Sequence, residues 1–233
     1  GDTVALCPGE HQVEGGFLVD GLVLTSHSGD PSDTRLGFGT GDGLRLGGDD
    51  VTLRALTLFD AAGSGSFTFS GFRGELALED IRIDRMGLVD LELRASTSLR
   101  VDGLVVEEAH TPLLLRLFDD ATAVLEDVEV RSAWGVRPLQ LTLSDRAAVA
   151  MVGLDMAHTT DGTLSATLED ASTLSIQDCT FTDTRVGLGH GVGGAMAIEL
   201  VSQAALQVER CVITDTAASY DGGAVHLTMY GSS

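Results

Sequence analysis

The segment Leu125-Glu-Asp-Val-Glu-Val130 contains the pattern that decides the fold. In this six-residue pattern, positions one, four and six are apolar, position three is a turn-forming residue, and positions two and five can be any residue. The pattern occurs seven times, and successive copies start 25, 23, 24, 26, 25 and 32 residues apart. Self-similarity at a nearly fixed period indicates a repeat architecture. The other six copies are Leu53–Leu58, Leu78–Ile83, Val101–Val106, Met151–Met156, Ile176–Phe181 and Val208–Ile213.

The third position of the pattern tolerates a left-handed backbone in five of the seven copies, where it is Asp80, Gly103, Asp127, Gly153 or Asp178. Gly has no Cβ and Asp has a short polar side chain, so both adopt positive φ at low cost. We therefore predict a sharp bend between two short strands in each copy. Ala55 and Arg210 occupy this position in the other two copies, and we expect a less extreme bend there.

A second strand precedes the motif, and its first apolar residue lies ten residues before the motif in five cases. Its apolar and polar residues alternate, which places successive side chains on opposite faces. These segments are Leu91–Leu93, Leu115–Leu117, Leu141–Leu143, Ala166–Leu168 and Ile198–Leu200. Leucine-rich repeats share the apolar spacing. However, the Asn or Cys ladder of those repeats is missing here, and a strand replaces their helical half.

The repeat predicts an all-β fold, a right-handed parallel β-helix of about eight or nine rungs. We expect one domain over residues 1–233, since right-handed crossovers between parallel strands are strongly favoured. The apolar runs are too short for a transmembrane helix. The net charge of −21 excludes a nucleic-acid partner, because phosphate binding requires a basic surface.

Three cysteines are too few for a disulfide-built fold and lack zinc-site spacing. Cys179 and Cys211 occupy the same inward position of consecutive motif copies. Either a disulfide or two buried free thiols fits this placement. Cys7 is either unpaired or has its partner outside the chain.

The segment Gly222–Met229 repeats the frame of Gly193–Leu200, but the next bend motif does not follow. We expect the chain either to belong to a longer protein or to dock its final rung onto a partner, end to end. An uncovered strand edge favours such pairing.

The chain resembles the pectate-lyase-like superfamily of right-handed β-helix proteins in Gly1–Glu10 and Val51–Leu58. It also resembles the polymorphic outer-membrane protein repeats of bacterial autotransporter passengers. Gly193-Gly-Ala-Met196 and Gly222-Gly-Ala-Val225 match the first motif of those repeats, but Phe181-Thr-Asp-Thr184 has Thr where they have Asn. The resemblance implies an adhesin-like role and an extracellular or cell-surface location.

The connections after the bend motif vary from 8 to 17 residues in length, and solenoids often carry their binding surface on the side with insertions. An aromatic residue with arginines and carboxylates suits stacking on a sugar and hydrogen bonding to it. We expect a glycan or protein ligand there, although polar loops with Trp134 packed on a neighbouring rung explain the composition too. The candidate binding residues are Trp134, Arg131, Arg137, His158, Arg185, His190, Tyr220 and Asp221.

Asp183 and Asp215 each lie in a Thr-Asp-Thr segment at the same place in two rungs. Stacked carboxylates could act as acid and base or bind Ca²⁺, and a solvated turn ladder is the alternative. The first functional hypothesis is an extracellular binding or structural module without a cofactor. The second is a polysaccharide lyase or glycoside hydrolase, which a groove with converging carboxylates and a basic residue would favour.

Overall fold

The computed structural model describes residues 2–13, 16–18, 20–38, 43–47, 49–60, 66–71, 73–108, 113–131, 138–160, 164–186, 193–218 and 223–231. These residues form 23 strands and no helix. Among them, therefore, no helix is long and apolar enough to span a membrane.

Each turn contains a strand before the bend, a strand after it, and a strand in an opposite sheet. Four long strands include both arms of the bend: β7 (Val51–Phe59), β9 (Glu75–Asp84), β11 (Ser98–Glu107) and β13 (Thr122–Arg131). In the other turns, the strand before the bend is β1 (Asp2–Leu6), β4 (Leu22–Ser26), β15 (Ala148–Val152), β18 (Thr173–Gln177) or β21 (Ala205–Glu209). The strand after the bend is β2 (Gly9–Val13), β5 (Thr34–Phe38), β16 (Asp155–Ala157), β19 (Thr180–Thr182) or β22 (Val212–Thr214).

The opposite sheet contains one strand from each turn. In chain order these are β3 (Gly16–Leu18), β6 (Gly43–Gly47), β8 (Ser66–Gly71), β10 (Leu88–Leu93), β12 (Leu113–Leu117), β14 (Leu139–Leu143), β17 (Leu164–Leu168), β20 (Met196–Val201) and β23 (Val225–Tyr230). All pairings in both sheets are parallel, and equivalent positions of successive copies are in register, as Leu104 is with Ile81 and Val128. The predicted parallel β-helix is confirmed, and a leucine-rich horseshoe is excluded.

The stack has about seven turns, slightly fewer than the eight or nine rungs expected. The opposite sheet has nine strands, of which the two outermost have a neighbour on one side only. Seven strands of this sheet therefore have a neighbour on both sides.

The predicted bend is present in all seven copies. The φ values are 51° at Asp80, 73° at Gly103, 52° at Asp127, 72° at Gly153 and 53° at Asp178. The expected relaxation at the two exceptions is wrong, since Ala55 and Arg210 both have a φ of 52°. Register with the neighbouring turns sets the backbone here, and it overrides the local preference of these two residues.

The inward rows form a continuous apolar core. Ile81, Leu104 and Val128 have exposed fractions of 1%, 1% and 2%, and the core extends from Leu36 to Ile198. Burying one such side chain contributes roughly 1.5–3 kcal/mol. Stacked aliphatic rows are therefore the main source of stability in this fold.

A second ladder of left-handed residues lies at the turn after the opposite sheet, and we did not anticipate it from the sequence. Asp119 and Asp145 both have a φ of 61°. The backbone N–H of Asp119 donates to Asp145 Oδ2 (3.2 Å), and that of Asp145 donates to Asp170 Oδ2 (3.4 Å). Each carboxylate thus satisfies a backbone donor of the preceding turn.

Candidate functional site

The surface nearest the variable connections is made by the outward side chains of the strand after each bend and by the residue that follows that strand. We call this surface the loop-side face. Arg85, Glu108, His158, Asp183 and Asp215 follow their strands, and all five have φ values between 48° and 54°. Positive φ turns the chain away from the strand, so these residues mark where each variable connection begins.

Five of the predicted site residues belong to the described part of this face: Arg131, His158, Asp183, Arg185 and Asp215. The other candidates lie outside the described residues, namely Trp134, Arg137, His190, Tyr220 and Asp221. The expected stacking of an aromatic residue on a sugar therefore stays a prediction.

His158, Asp183 and Arg185 form one cluster. His158 Nδ1 lies 3.1 Å from Asp183 Oδ2, and Arg185 Nε donates to Asp183 Oδ1 at 3.1 Å. The hydrogen bond from His158, together with the charge of Arg185, holds the pKa of Asp183 below its ordinary value. Asp183 is therefore an ionised acceptor fixed by two neighbours on the surface of the protein.

Asp183 and Asp215 occupy equivalent positions on adjacent turns, because Thr182 pairs with Thr214 in the strand before them. The carboxylate of Asp183 contacts His158 of the preceding turn and Arg185 of its own turn, while its backbone N–H donates to the carbonyl of Thr214. Within the described ranges, no group of three or more His, Cys, Asp or Glu side chains could hold a metal ion.

Arg131 lies further along the same face. It pairs in register with Glu107 on one side and Ala157 on the other, and its guanidinium makes an ion pair with Glu129. The structure thus places Arg131 on the same face as the His158 cluster, two turns before Asp183.

A concavity on this face lies nearer the start of the chain, across β5, β7, β9 and β11. It is a cleft of about 500 Å³. Three guanidiniums and three carboxylates converge on it, together with two hydroxyl groups: Arg35, Arg82, Arg85, Asp84, Glu107, Glu108, Ser32 and Thr57.

The cleft is held in shape by ion pairs between turns. Arg35 Nη2 donates to Asp84 Oδ2 (2.9 Å), and the Arg35 guanidinium lies 4.2 Å from the centre of the Phe59 ring. Arg82 pairs with Glu107 of the next turn, while Arg85 Nε donates to Asp84 Oδ1 (3.1 Å). A guanidinium carries five N–H donors, so these contacts leave donor capacity for a ligand.

Sequence reasoning missed this cleft. The alternation in Ile81-Arg-Ile-Asp-Arg85 marks Arg82 and Asp84 as outward, and this signal was available. Arg35 could not have been found in this way, because Thr34–Phe38 follows none of the seven motif copies.

The structure contains a disulfide between Cys179 and Cys211, whose Cα atoms are 4.5 Å apart. The sequence allowed either a disulfide or two buried free thiols, and the structure has the disulfide. Cys7 is free and exposed. The disulfide joins the last two bends at the same level as an ion pair in which Arg210 Nε and Nη2 donate to the two Asp178 oxygens (2.6 and 2.8 Å).

Comparison with known proteins gives no match to any protein-family model, curated protein or solved structure. The structure shows a parallel β-helix, and no match supports the pectate-lyase-like or the autotransporter resemblance.

Proposed function

We propose that this chain is an extracellular binding module that recognises a glycan through the cleft on its loop-side face. The observation that carries the proposal is the convergence of Arg35, Arg82 and Arg85 with three carboxylates in one concavity. The cleft volume is within the range of about 300–1,000 Å³ that is typical of small-ligand sites.

The chemistry of the lining favours a ligand rich in hydroxyl groups. Protein interfaces concentrate their binding energy in buried aromatic and apolar anchors. The side chains that line this cleft are charged or hydroxylic. Guanidinium donors and carboxylate acceptors side by side can satisfy both the donor and the acceptor of a sugar hydroxyl.

Charge favours a neutral glycan over an anionic one. The cleft lining contains equal numbers of arginines and carboxylates, and the chain as a whole has a net charge of −21. The field of such a protein opposes the approach of a polyanion. An extracellular location agrees with the disulfide, because disulfides persist mainly in oxidising compartments.

A polysaccharide-active enzyme is the second candidate, and one observation favours it. Asp84 and Glu107 are paired in register on adjacent strands, which are about 4.8 Å apart. Retaining glycosidases separate their two carboxylates by about 5–5.5 Å. This register and the neighbouring arginines support the enzyme candidate at residues other than the Asp183 and Asp215 expected from the sequence.

The test is a screen of neutral and acidic oligosaccharides, followed by titration calorimetry on any that bind. Arg82→Ala is expected to weaken binding at least about tenfold, since charge-assisted hydrogen bonds contribute roughly 1.5–3 kcal/mol each. Arg146→Ala is the matched control, because Arg146 makes an exposed ion pair with Asp120 outside the cleft. Equal binding by wild type and Arg82→Ala would contradict the proposal. Cleavage of a bound oligosaccharide, abolished by Glu107→Gln, would favour the enzyme instead.

A further inference from the structure

A second concavity lies on the outer face of the opposite sheet, and we call it the opposite-sheet groove. It spans β17, β20 and β23 and has a volume of about 160 Å³. Its central strand, β20, has a paired strand on each side, so both walls of the groove belong to the sheet. The outward side chains that line it are Ser165, Thr167, Ala197, Glu199, His226 and Thr228.

The floor of the groove is made by a small side chain. Ala197 pairs in register with Ser165 of β17 and with His226 of β23. Its single methyl group leaves space in front of the strand, and the longer imidazole forms a wall beside it. Glu199 lies two residues further along β20, in the next outward row. The groove therefore combines an apolar floor with a carboxylate.

The Glu199 carboxylate makes no ion pair within the part of the chain that the structure describes. It is half-buried. Among the outward residues of β12, β14, β17, β20 and β23, the one arginine is Arg116. Arg116 is three strand steps away, roughly 14 Å, and it already makes two ion pairs. Since a half-buried carboxylate is stabilised by a counter-charge, this groove favours a cation.

We propose that the opposite-sheet groove binds a primary ammonium group, with the Glu199 carboxylate and the Thr228 hydroxyl as its acceptors and the carbon stem of the ligand over Ala197. An ammonium has three N–H donors and no acceptor. Acceptors at about 2.9 Å from a tetrahedral nitrogen lie about 4.7 Å from each other. Glu199 and Thr228 are register partners, and their strands are about 4.8 Å apart. Thr167 places a second hydroxyl on the other side of Glu199.

His226 acts as a positioning residue for the Thr228 hydroxyl. Its Nε2 lies 2.9 Å from Thr228 Oγ1, so the hydroxyl is held beside the carboxylate. A hydroxyl oxygen has two lone pairs and can accept from a ligand while it contacts the imidazole. A guanidinium is planar and pairs best with both oxygens of one carboxylate. Acceptors on neighbouring strands therefore favour the tetrahedral ammonium.

Charge and composition indicate that the ammonium belongs to another molecule. The net charge of −21 attracts cations to the protein. The chain contains no lysine, so none of its own side chains carries a primary ammonium. An amino sugar and the lysine side chain of a second protein offer the same group, and the test distinguishes these two sources.

Titrations of ¹⁵N-labelled protein with Nα-acetyl-lysinamide and with glucosamine, followed by NMR, test this inference. At least one of them is expected to shift the amide signals of β17, β20 and β23, and the tighter of the two identifies the source. Their N-acetylated forms, in which the ammonium is replaced by a neutral amide, should bind at least about tenfold more weakly, because the charge-assisted hydrogen bonds are lost. Equal binding of an amine and its acetylated form overturns the inference, and so does the failure of both amines to bind.

Three variants locate the site. Glu199→Gln removes the charge and Ala197→Leu fills the floor while it keeps the charge, so each should raise the dissociation constant at least about tenfold. Glu126→Gln is the matched control, since it removes one carboxylate from an exposed outward position in the other sheet. Its effect should stay within about twofold, because salt screens distant charges. Circular dichroism establishes that the variants are folded. Equal weakening by Glu126→Gln and Glu199→Gln overturns the inference, because the net charge would then explain the binding.

Discussion

At the scale of single residues, the bend positions show why Asp and Gly alternate along the stack. A Cβ on Gly153 would lie 2.8 Å from Asp127 Oδ1, and one on Gly103 would lie 3.0 Å from Asp80 Oδ1. The carboxylate of each aspartate thus occupies the space above the next bend. After Asp178, the following turn has Arg210, which neutralises the carboxylate through two hydrogen bonds.

Gly153→Ala is expected to destabilise the protein by about 1–3 kcal/mol, because it combines positive φ with a close contact. In an Asp127→Ala background the contact is absent, so the same change should cost at least about 0.5 kcal/mol less. Urea unfolding of the four proteins in this cycle measures the coupling. Additive effects of the two substitutions would show that the carboxylate does not fill the space above Gly153.

The acid sensitivity of the fold is also argued at this scale. The hydrogen bonds from Arg210 lower the pKa of Asp178, and those from Arg146 lower the pKa of Asp120. A carboxylate with a lowered pKa in the folded state stabilises the fold above its unfolded pKa, which is about 3.9. That stabilisation is lost as the pH falls through the folded pKa.

We therefore expect the thermal midpoint to fall as the pH is lowered below about 4, and Arg210→Gln should make this dependence shallower. Arg100→Gln is the control, since it removes one positive charge but only a single 3.3 Å contact with Asp102. Differential scanning calorimetry from pH 6 to the lowest pH at which the protein is soluble gives the slope. Identical slopes for Arg210→Gln and wild type would refute this explanation.

At the scale of elements, the two strands and the bend of each repeat could be predicted from the sequence. Period-two alternation and a turn residue in third place determine this geometry within six consecutive residues. The second ladder at Asp119 and Asp145 was missed, since its role is to accept backbone N–H groups from another turn. The cleft was only partly predictable for the same reason. Arg82 can be placed outward from its neighbours in sequence, but Arg35 reaches Asp84 across 49 residues.

The Cys179–Cys211 disulfide joins β18 and β19 to β21 and β22, and it closes a separation of 32 residues. Loop-closure entropy for that length corresponds to about 3–4 kcal/mol. Reduction is therefore expected to speed amide hydrogen exchange in β21 and β22 more than in β9 and β11. The Cys179→Ala/Cys211→Ala variant should exchange alike with and without reductant. Uniform acceleration over the whole chain would contradict a local role for this crosslink.

At the scale of the whole molecule, the turns stack in register into a rod with an apolar interior and an acidic exterior. The outward row through Thr52, Ala77, Arg100, Val124, Ala150, Ser175 and Gln207 runs along this rod. Each step in that row is a strand spacing of about 4.8 Å. The same spacing separates the residues that line the cleft, since they come from successive turns.

Electron paramagnetic resonance distances along this row test the stacking most directly, with spin labels at cysteines introduced in a Cys7→Ser background. Gln207 and Arg100 are four strand steps apart, and Gln207 and Thr52 are six steps apart. The stack predicts backbone separations of roughly 19 and 29 Å, so the second distance should exceed the first by about 10 Å. Equal distances, or a longer distance for the Arg100 pair, would contradict the stacked turns on which the cleft and the opposite-sheet groove depend.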